Sequence, residues 1–164
     1  MRFLRTAAPI LPLAYAAVHT VEVGDGGLTF EPRTLTAVEG DTIVFNLYAV
    51  HDIVVGDFDE PCRPDDDGWY SGPFDNTDNG ALKFVVNVTS DDPIYYYCSV
   101  QRHCQMGMVG GMNLPTSGDE TIEAYASAAS GVAQASTPAS IRGGQLLDDA
   151  AVASLTGSAS PSAT

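Results

Sequence analysis

One connection in this chain carries three kinds of metal-binding side chain in order: Tyr97-Cys98-Ser99-Val100-Gln101-Arg102-His103-Cys104-Gln105-Met106-Gly107-Met108. The thiol of Cys98 is followed by the imidazole of His103 and then by the thioethers of Met106 and Met108. A loop between two strands can aim such residues at one point, because the strand ends hold the loop in place. One thiolate, two imidazoles and a weak axial thioether form a type 1 copper site. The spacing therefore predicts a copper site on a loop between two β-strands.

The second imidazole has to come from elsewhere in the chain. His51 follows the strand-like run 42–48 and precedes the apolar residues 53–55, so it stands at a strand end. Of the three histidines, only His19 could compete with it. We therefore predict His51, Cys98 and His103 as metal ligands, against the alternative of a core thiol and two ordinary histidines.

The rest of the chain predicts an all-β protein. Short apolar or alternating runs are separated by Gly, Asp, Asn and Pro, which is typical of strands joined by turns. Such runs occupy residues 19–23, 28–30, 34–38, 42–48, 53–55, 82–88, 93–97 and 109–114. Many short strands without a helical period favour a Greek-key β-sandwich. The candidate ligand loop lies between its last two strands.

Composition divides the 164 residues into three parts. Residues 1–17 have a basic start, a short apolar run and a small-residue cleavage site, which predicts a secretory signal peptide. Residues 18–117 form the folded domain. Residues 118–164 are rich in Ala, Ser, Gly and Thr, so we expect a disordered tail with sites for O-glycosylation, apart from a short helical piece near 122–129.

The chain offers no second segment that could cross a bilayer, so no transmembrane segment is expected. Its last residues lack the hydrophobic run of a cleaved lipid-anchor signal, which predicts a free protein. Together with the signal peptide, these features predict a secreted or extracellular monomer, with cell-wall association left open. Asn87-Val88-Thr89 matches the N-glycosylation pattern, so Asn87 is a candidate glycosylation site.

The chain is strongly acidic. It has 21 acidic against 7 basic residues and a formal charge of −14. Removing the signal peptide takes away Arg2 and Arg5 and leaves a formal charge of −16. Such a charge argues against nucleic acid as a partner, since binding to phosphates requires basic side chains. It favours a solvated surface and would steer the protein toward a basic partner.

Three cysteines in a secreted chain predict one disulfide and one thiol with another role. If Cys98 binds copper, Cys62 and Cys104 form the disulfide, which would clamp the ligand loop. Zinc is the alternative metal, because three cysteines and two histidines could supply tetrahedral nitrogen and sulfur ligands. An oxidising compartment and the lack of a Cys-x2-Cys motif argue against zinc.

Several motifs resemble those of the cupredoxin family, in its phytocyanin-like branch and in the secreted serine-rich cupredoxins of fungi. They cover roughly residues 19–114 and are Phe30-x-Pro32, the run from Gly40 to Phe45, His51, and the stretch from Tyr96 to Met108. The resemblance implies a Greek-key β-sandwich, one type 1 copper and a disulfide at Cys104, and it favours Met108 over Met106 as the axial ligand. Asp52 departs from it, because phytocyanin-like relatives often have Asn there to brace the thiolate loop.

These observations predict outer-sphere electron transfer with an unidentified redox protein. We expect no enzyme activity, because the sequence shows no recognisable Ser-His-Asp or paired-carboxylate site. Three histidines are also too few for a multicopper oxidase. The alternatives are extracellular copper sequestration and a cell-wall or adhesion protein that uses the same scaffold. Reversible electron exchange would favour the first function, and tight copper retention with slow exchange would favour sequestration.

Overall fold

The computed structural model describes residues 16–157. The predicted signal peptide, residues 1–17, lies outside this range except for its last two residues. Nine strands occur in the described chain: β1 Val18–Val23, β2 Phe30–Glu31, β3 Thr34–Leu35, β4 Thr42–Leu47, β5 Val54–Gly56, β6 Lys83–Asn87, β7 Ile94–Tyr97, β8 Val109–Met112 and β9 Gln145–Leu147. A 3-10 turn spans Phe74–Thr77, and the two helices are α1 Ile122–Ser130 and α2 Asp149–Gly157.

The strands form two mixed sheets packed face to face, which confirms the predicted β-sandwich. The first sheet has the order β2-β1-β4-β6-β9, and the second has the order β3-β8-β7-β5. In the first sheet β1 is parallel to β4, with Val18 opposite Thr42 and Val23 opposite Leu47. In the second sheet β7 is antiparallel to both of its neighbours. Each predicted strand begins within two residues of the first residue of an observed strand.

The core between the sheets is rich in β-branched and aromatic side chains, which pack well on a pleated surface. Phe45 on β4 is fully buried, and its ring centroid lies 6.4 Å from that of Trp69, 6.2 Å from Phe84 and 5.7 Å from Tyr96. Trp69 comes from the long acidic connection after β5, so this connection is anchored in the core. Cys98, Met108 and Met112 belong to the same buried cluster.

The C-terminal tail differs from its prediction. Residues 118–164 were expected to be disordered, yet the described part of the tail forms α1, β9 and α2. The helix near 122–129 is present, with the Thr121 hydroxyl accepting a hydrogen bond from the Ala124 amide at its start. Strand β9 pairs antiparallel with β6 and extends the first sheet. The prediction of disorder is therefore corrected for residues 122–157.

The tail folds because the body of the protein supplies the apolar surface that the tail lacks. Tyr95 and Tyr97 point to the outer face of β7, away from the main core, and would be exposed without a cover. Tyr125 of α1 is fully buried against them, with its ring centroid 4.9 Å from that of Tyr95. The Tyr97 hydroxyl donates to the Ser136 carbonyl at 2.7 Å. A second core therefore lies between the outer face of β7 and the tail.

Candidate metal centre

Two connections at the same end of the sandwich bring the predicted ligands together. His51 lies between β4 and β5, and Cys98 directly follows β7. Because Val54 of β5 pairs with Tyr97 of β7, the residues before Val54 lie beside those after Tyr97. His103 lies in the loop between β7 and β8, where its amide donates to the Val100 carbonyl at 2.9 Å and closes a turn.

The three side chains converge with their ligand atoms facing one another. The Sγ of Cys98 lies 3.7 Å from Nδ1 of His51 and 3.3 Å from Nδ1 of His103. The two imidazole centroids are 4.9 Å apart. Within residues 16–157 this is the one group of three or more His, Cys, Asp or Glu side chains whose ligand atoms lie within 4.8 Å of one another.

The surroundings of Cys98 and His51 favour the neutral forms of these two side chains when no metal is bound. Burial raises the pKa of the Cys98 thiol to about 12, and the negative charge of Asp52 adds to this effect. Burial lowers the pKa of His51, and repulsion from the His103 charge lowers it further. The imidazole of His51 therefore keeps a nitrogen lone pair at neutral pH, and the thiolate of Cys98 needs a nearby cation to be stable.

The two methionines of the ligand loop differ in burial. Met108 is fully buried in the same cluster as Cys98, whereas Met106 is 67% exposed. The amide of Cys98 donates to the Met108 carbonyl at 3.2 Å, so the two ends of the loop are joined. Met112 is buried within β8, where it pairs with Ile94, as expected for a core residue. Of these three thioethers, that of Met108 combines burial with proximity along the loop to the three converging ligands.

Asp52 braces the start of the ligand loop. Its carboxylate is buried and accepts hydrogen bonds from the Ser99 amide at 2.6 Å and from the Ser99 hydroxyl at 2.5 Å. Burial raises the pKa of Asp52, and the hydrogen bonds from Ser99 oppose that rise. The loop around Cys98 is thus tied to the connection that carries His51.

A disulfide between Cys62 and Cys104 closes the other side of the loop. Cys104 directly follows His103, so the bridge holds that part of the loop against the long connection after β5. Cys98 remains a free, buried thiol. His19 lies elsewhere, on β1, where its Nε2 is 2.9 Å from the Asp41 carboxylate. The structure thus keeps apart the one histidine that could have competed with His51.

The donor set fits copper. One thiol and two Nδ1 atoms converge inside a largely apolar cluster, and a thioether is buried nearby. Soft sulfur with imidazole nitrogen is the combination that selects copper in a trigonal site with a weak axial ligand. Zinc would require a fourth strong ligand for a closed tetrahedral site. Cys62 and Cys104 cannot supply it as thiolates, because they are joined to each other.

Sequence reasoning missed one residue of this site. Gly24 lies against the imidazole of His51, so closely that a Cβ at position 24 would overlap the ring. Gly24 belongs to the stretch Gly24-Asp25-Gly26-Gly27, whose composition predicts a turn and nothing more. A turn pattern does not indicate which distant side chain the turn touches, so no sequence signal could have identified this contact.

No family model matches the chain. Among curated proteins, a probable GPI-anchored cupredoxin-1 from Arthroderma benhamiae is 42% identical over 145 residues, covering 88% of this chain and 75% of the relative. An extracellular serine-rich protein from the same organism is 36% identical over 144 residues, covering 86% of this chain and 56% of that protein.

Among solved structures, pseudoazurin from Hyphomicrobium denitrificans has a TM-score of 0.45 and 19% identity, covering 71% of this chain and 99% of its own. The assignment to a family rests on the curated relatives, because the first of them is 42% identical to this chain over three quarters of its own length. By this similarity the chain belongs to the cupredoxin family.

Proposed function

We propose that this protein binds one type 1 copper ion through His51, Cys98, His103 and Met108, and that it transfers single electrons without catalysing a reaction. The observation that carries the proposal is the convergence of two imidazole Nδ1 atoms on the buried Cys98 thiol, at 3.7 and 3.3 Å. Copper in such a donor set alternates between Cu(I) and Cu(II).

The chain's own contribution to this function is a rigid frame. Cys98 and Met108 flank strands of one sheet, and the amide of Cys98 is bonded to the Met108 carbonyl. Asp52 holds Ser99, and the disulfide at Cys104 holds the far side of the loop. Side chains held in this way keep similar positions in both oxidation states, which favours fast electron exchange.

The primary test uses the full chain loaded with Cu(II). Visible absorption should show an intense thiolate charge-transfer band, and electron paramagnetic resonance should show narrow copper hyperfine splitting. Cys98→Ser should abolish both signals. A colourless protein that binds Zn(II) more tightly than copper would refute the proposal, and a metal-free protein that binds cell-wall polymers would point to adhesion.

Replacement of the methionines tests the fourth ligand. Met108→Leu should change the charge-transfer spectrum and the reduction potential, because the axial thioether tunes a type 1 site. Met106→Leu is the matched control, since Met106 is 67% exposed. A larger effect at Met106 would reassign the ligand.

The redox partner should be a basic protein. The chain carries a formal charge of −14, so electrostatic attraction would accelerate its encounter with a positively charged partner. We expect the rate of electron exchange with a small basic redox protein to fall as salt concentration rises. Insensitivity to salt would remove the steering part of the proposal while leaving the copper site intact.

We further propose a location outside the cell or at the cell surface. The relatives are named as GPI-anchored and as extracellular. None of the helices in residues 16–157 has the length and apolar character that a membrane span requires. The disulfide fits an oxidising compartment. N-terminal sequencing of the secreted protein would test the predicted cleavage near residue 17.

Asn87 is proposed as a glycosylation site. It is exposed at the end of β6 and lies opposite Thr42, at the start of β4. His51 follows the other end of β4, so a glycan at Asn87 would lie away from the candidate metal centre. Mass spectrometry before and after glycosidase treatment should show a mass loss that Asn87→Gln eliminates.

A further inference from the structure

The turn after β1 touches the candidate metal centre. At Gly24 a Cβ would lie 2.5 Å from Nε2 and 2.6 Å from Cγ of His51, and nearer still to Cδ2. Carbon and nitrogen atoms in van der Waals contact stand about 3.5 Å apart or more, so these positions overlap. The Nδ1 atom, which faces Cys98, is not among the three nearest ring atoms. Gly24 therefore supports the part of the ring that lies away from the thiol.

Hydrogen bonds link the turn to the segment that carries His51. The Gly24 amide donates to the Thr29 carbonyl at 2.9 Å, which closes the hairpin. The Tyr48 amide donates to the Val23 carbonyl at 3.0 Å, and the His51 amide donates to the Tyr48 carbonyl at 3.1 Å. Val23, which precedes Gly24, is thus bonded to Tyr48, and Tyr48 is bonded to His51, so the backbone on both sides of the contact is linked by hydrogen bonds.

The imidazole also has little freedom on its other sides. Its Nδ1 lies 3.7 Å from the Cys98 thiol, and its centroid lies 4.9 Å from that of His103. His51 is only 7% exposed. A ring displaced by a side chain at position 24 would have to move within this group, which would change the geometry of the ligands.

We infer that Gly24 is a positioning residue for His51, and that only glycine at this position lets Nδ1 face Cys98. This inference rests on the proposed copper site. Loss of a hydrogen-bond partner that orients a metal-binding histidine typically lowers metal affinity 10- to 100-fold, and we expect displacement of the ring itself to cost at least as much. Gly24→Ala should therefore weaken Cu(II) binding at least about tenfold and reduce the charge-transfer intensity.

The same turn supplies a matched control. Gly24 has a φ of +90° and Gly26 a φ of +86°, so alanine is strained to a similar degree at both positions. A Cβ at Gly26 would have no atom within 4 Å. Gly26→Ala should lower the unfolding temperature without changing Cu(II) affinity by more than about twofold. Equal effects of the two variants on affinity and spectrum would overturn the inference.

A double-mutant cycle on the metal-free protein tests the contact without copper. Gly24→Ala should destabilise the wild-type background more than Gly26→Ala does. In the His51→Ala background the ring is gone, and the two alanine variants should cost the same. If Gly24→Ala fails to fold alone but folds together with His51→Ala, the contact is supported. If both variants carrying Gly24→Ala fail to fold, the ring is not the obstacle and the inference is wrong.

The cycle also separates this inference from the proposed function. A wild-type protein without a charge-transfer band would refute the copper site, while the metal-free cycle would still report on the contact. A normal blue wild type with no energetic coupling between positions 24 and 51 would refute the positioning role alone.

Discussion

Val50 is a strained residue beside a candidate ligand. It has a φ of +68°, precedes His51 and is 61% exposed. A β-branched residue at positive φ is an outlier, and such strain costs on the order of 1–3 kcal/mol. The cost is carried by the rest of the fold, since the His51 amide is already bonded to the Tyr48 carbonyl and Ile53 is fully buried.

We predict that Val50→Asn stabilises the protein by about 1 kcal/mol, because asparagine tolerates the left-handed region. Thermal unfolding of the metal-free protein would measure the change. Val38→Asn is the control, since Val38 is 55% exposed without a positive φ and should change stability by less than about 0.5 kcal/mol. Equal shifts would show that position 50 stores no strain.

Asp52 places a buried carboxylate next to the candidate thiolate. Asparagine could keep both contacts with Ser99, because its oxygen can accept from the amide and its nitrogen can donate to the hydroxyl. Asp52→Asn therefore removes the charge with little change in shape. Loss of a negative charge disfavours Cu(II), so the reduction potential should rise by about 50 mV or more. Voltammetry of both proteins would measure the shift, and an unchanged potential would exclude a role for this charge.

Strand β1 is held at its start by Asp41. The carboxylate accepts hydrogen bonds from the Ala17 amide at 2.7 Å and the Val38 amide at 3.1 Å, and it contacts His19. Burial alone would raise the pKa of Asp41, but the hydrogen bond with His19, the hydrogen bonds from the Val38 and Ala17 amides and the electrostatic attraction of His19 together outweigh burial, so the pKa is lowered. A carboxyl group with a lowered pKa stabilises the fold above its unfolded value, and this stability is lost as the pH falls through the folded value.

Asp41→Asn should therefore lower the free energy of unfolding by about 1–2 kcal/mol at pH 7. The difference from the wild type should shrink as the pH falls below about 4. Chemical denaturation at several pH values would measure it. Glu39→Gln, which removes an exposed charge from the same turn, should change stability by less than about 0.5 kcal/mol at any of these pH values. A difference independent of pH would show that the charge of Asp41 is not responsible.

Helix α1 covers the outer face of strand β7. Three successive tyrosines, Tyr95 to Tyr97, cannot all face one side of a strand, yet all three are buried. Tyr96 enters the main core, and the other two are covered by the tail. A strand with large apolar residues on both faces was the one signal in the sequence that something else had to cover the outer face.

For the whole molecule, the tail should be essential for stability. Burying Ile122 and Tyr125 contributes about 1.5–3 kcal/mol each, and losing them would also expose Tyr95 and Tyr97. Truncation after Ser117 should therefore cost about 5 kcal/mol or more, which is comparable to the total stability of many domains. Truncation after Asp148 removes only α2 from the described chain and should have a much smaller effect. Circular dichroism during thermal unfolding would compare them, and similar stabilities would refute the structural role of α1.

The sequence pattern was sufficient to predict the β-sandwich, because the alternation of apolar and polar residues and the position of turn residues are local properties of each strand. It also identified His51, Cys98 and His103 as candidate copper ligands, since few residue types can bind copper and the chain has few of them. The choice of Met108 as the candidate axial ligand also required the family resemblance, because spacing alone left Met106 as an alternative.

Contacts between distant segments were decided by the tertiary structure. The tail has too little apolar mass to fold alone, and packing against the body of the protein gives it buried faces. Tyr125 lies against Tyr95 and Tyr97, and Leu146 of β9 packs against the main core. Gly24 lies against His51 because β1 and β4 are neighbours in one sheet, although the two residues are far apart in the chain. Composition describes each segment in isolation, whereas burial depends on which segment lies opposite it.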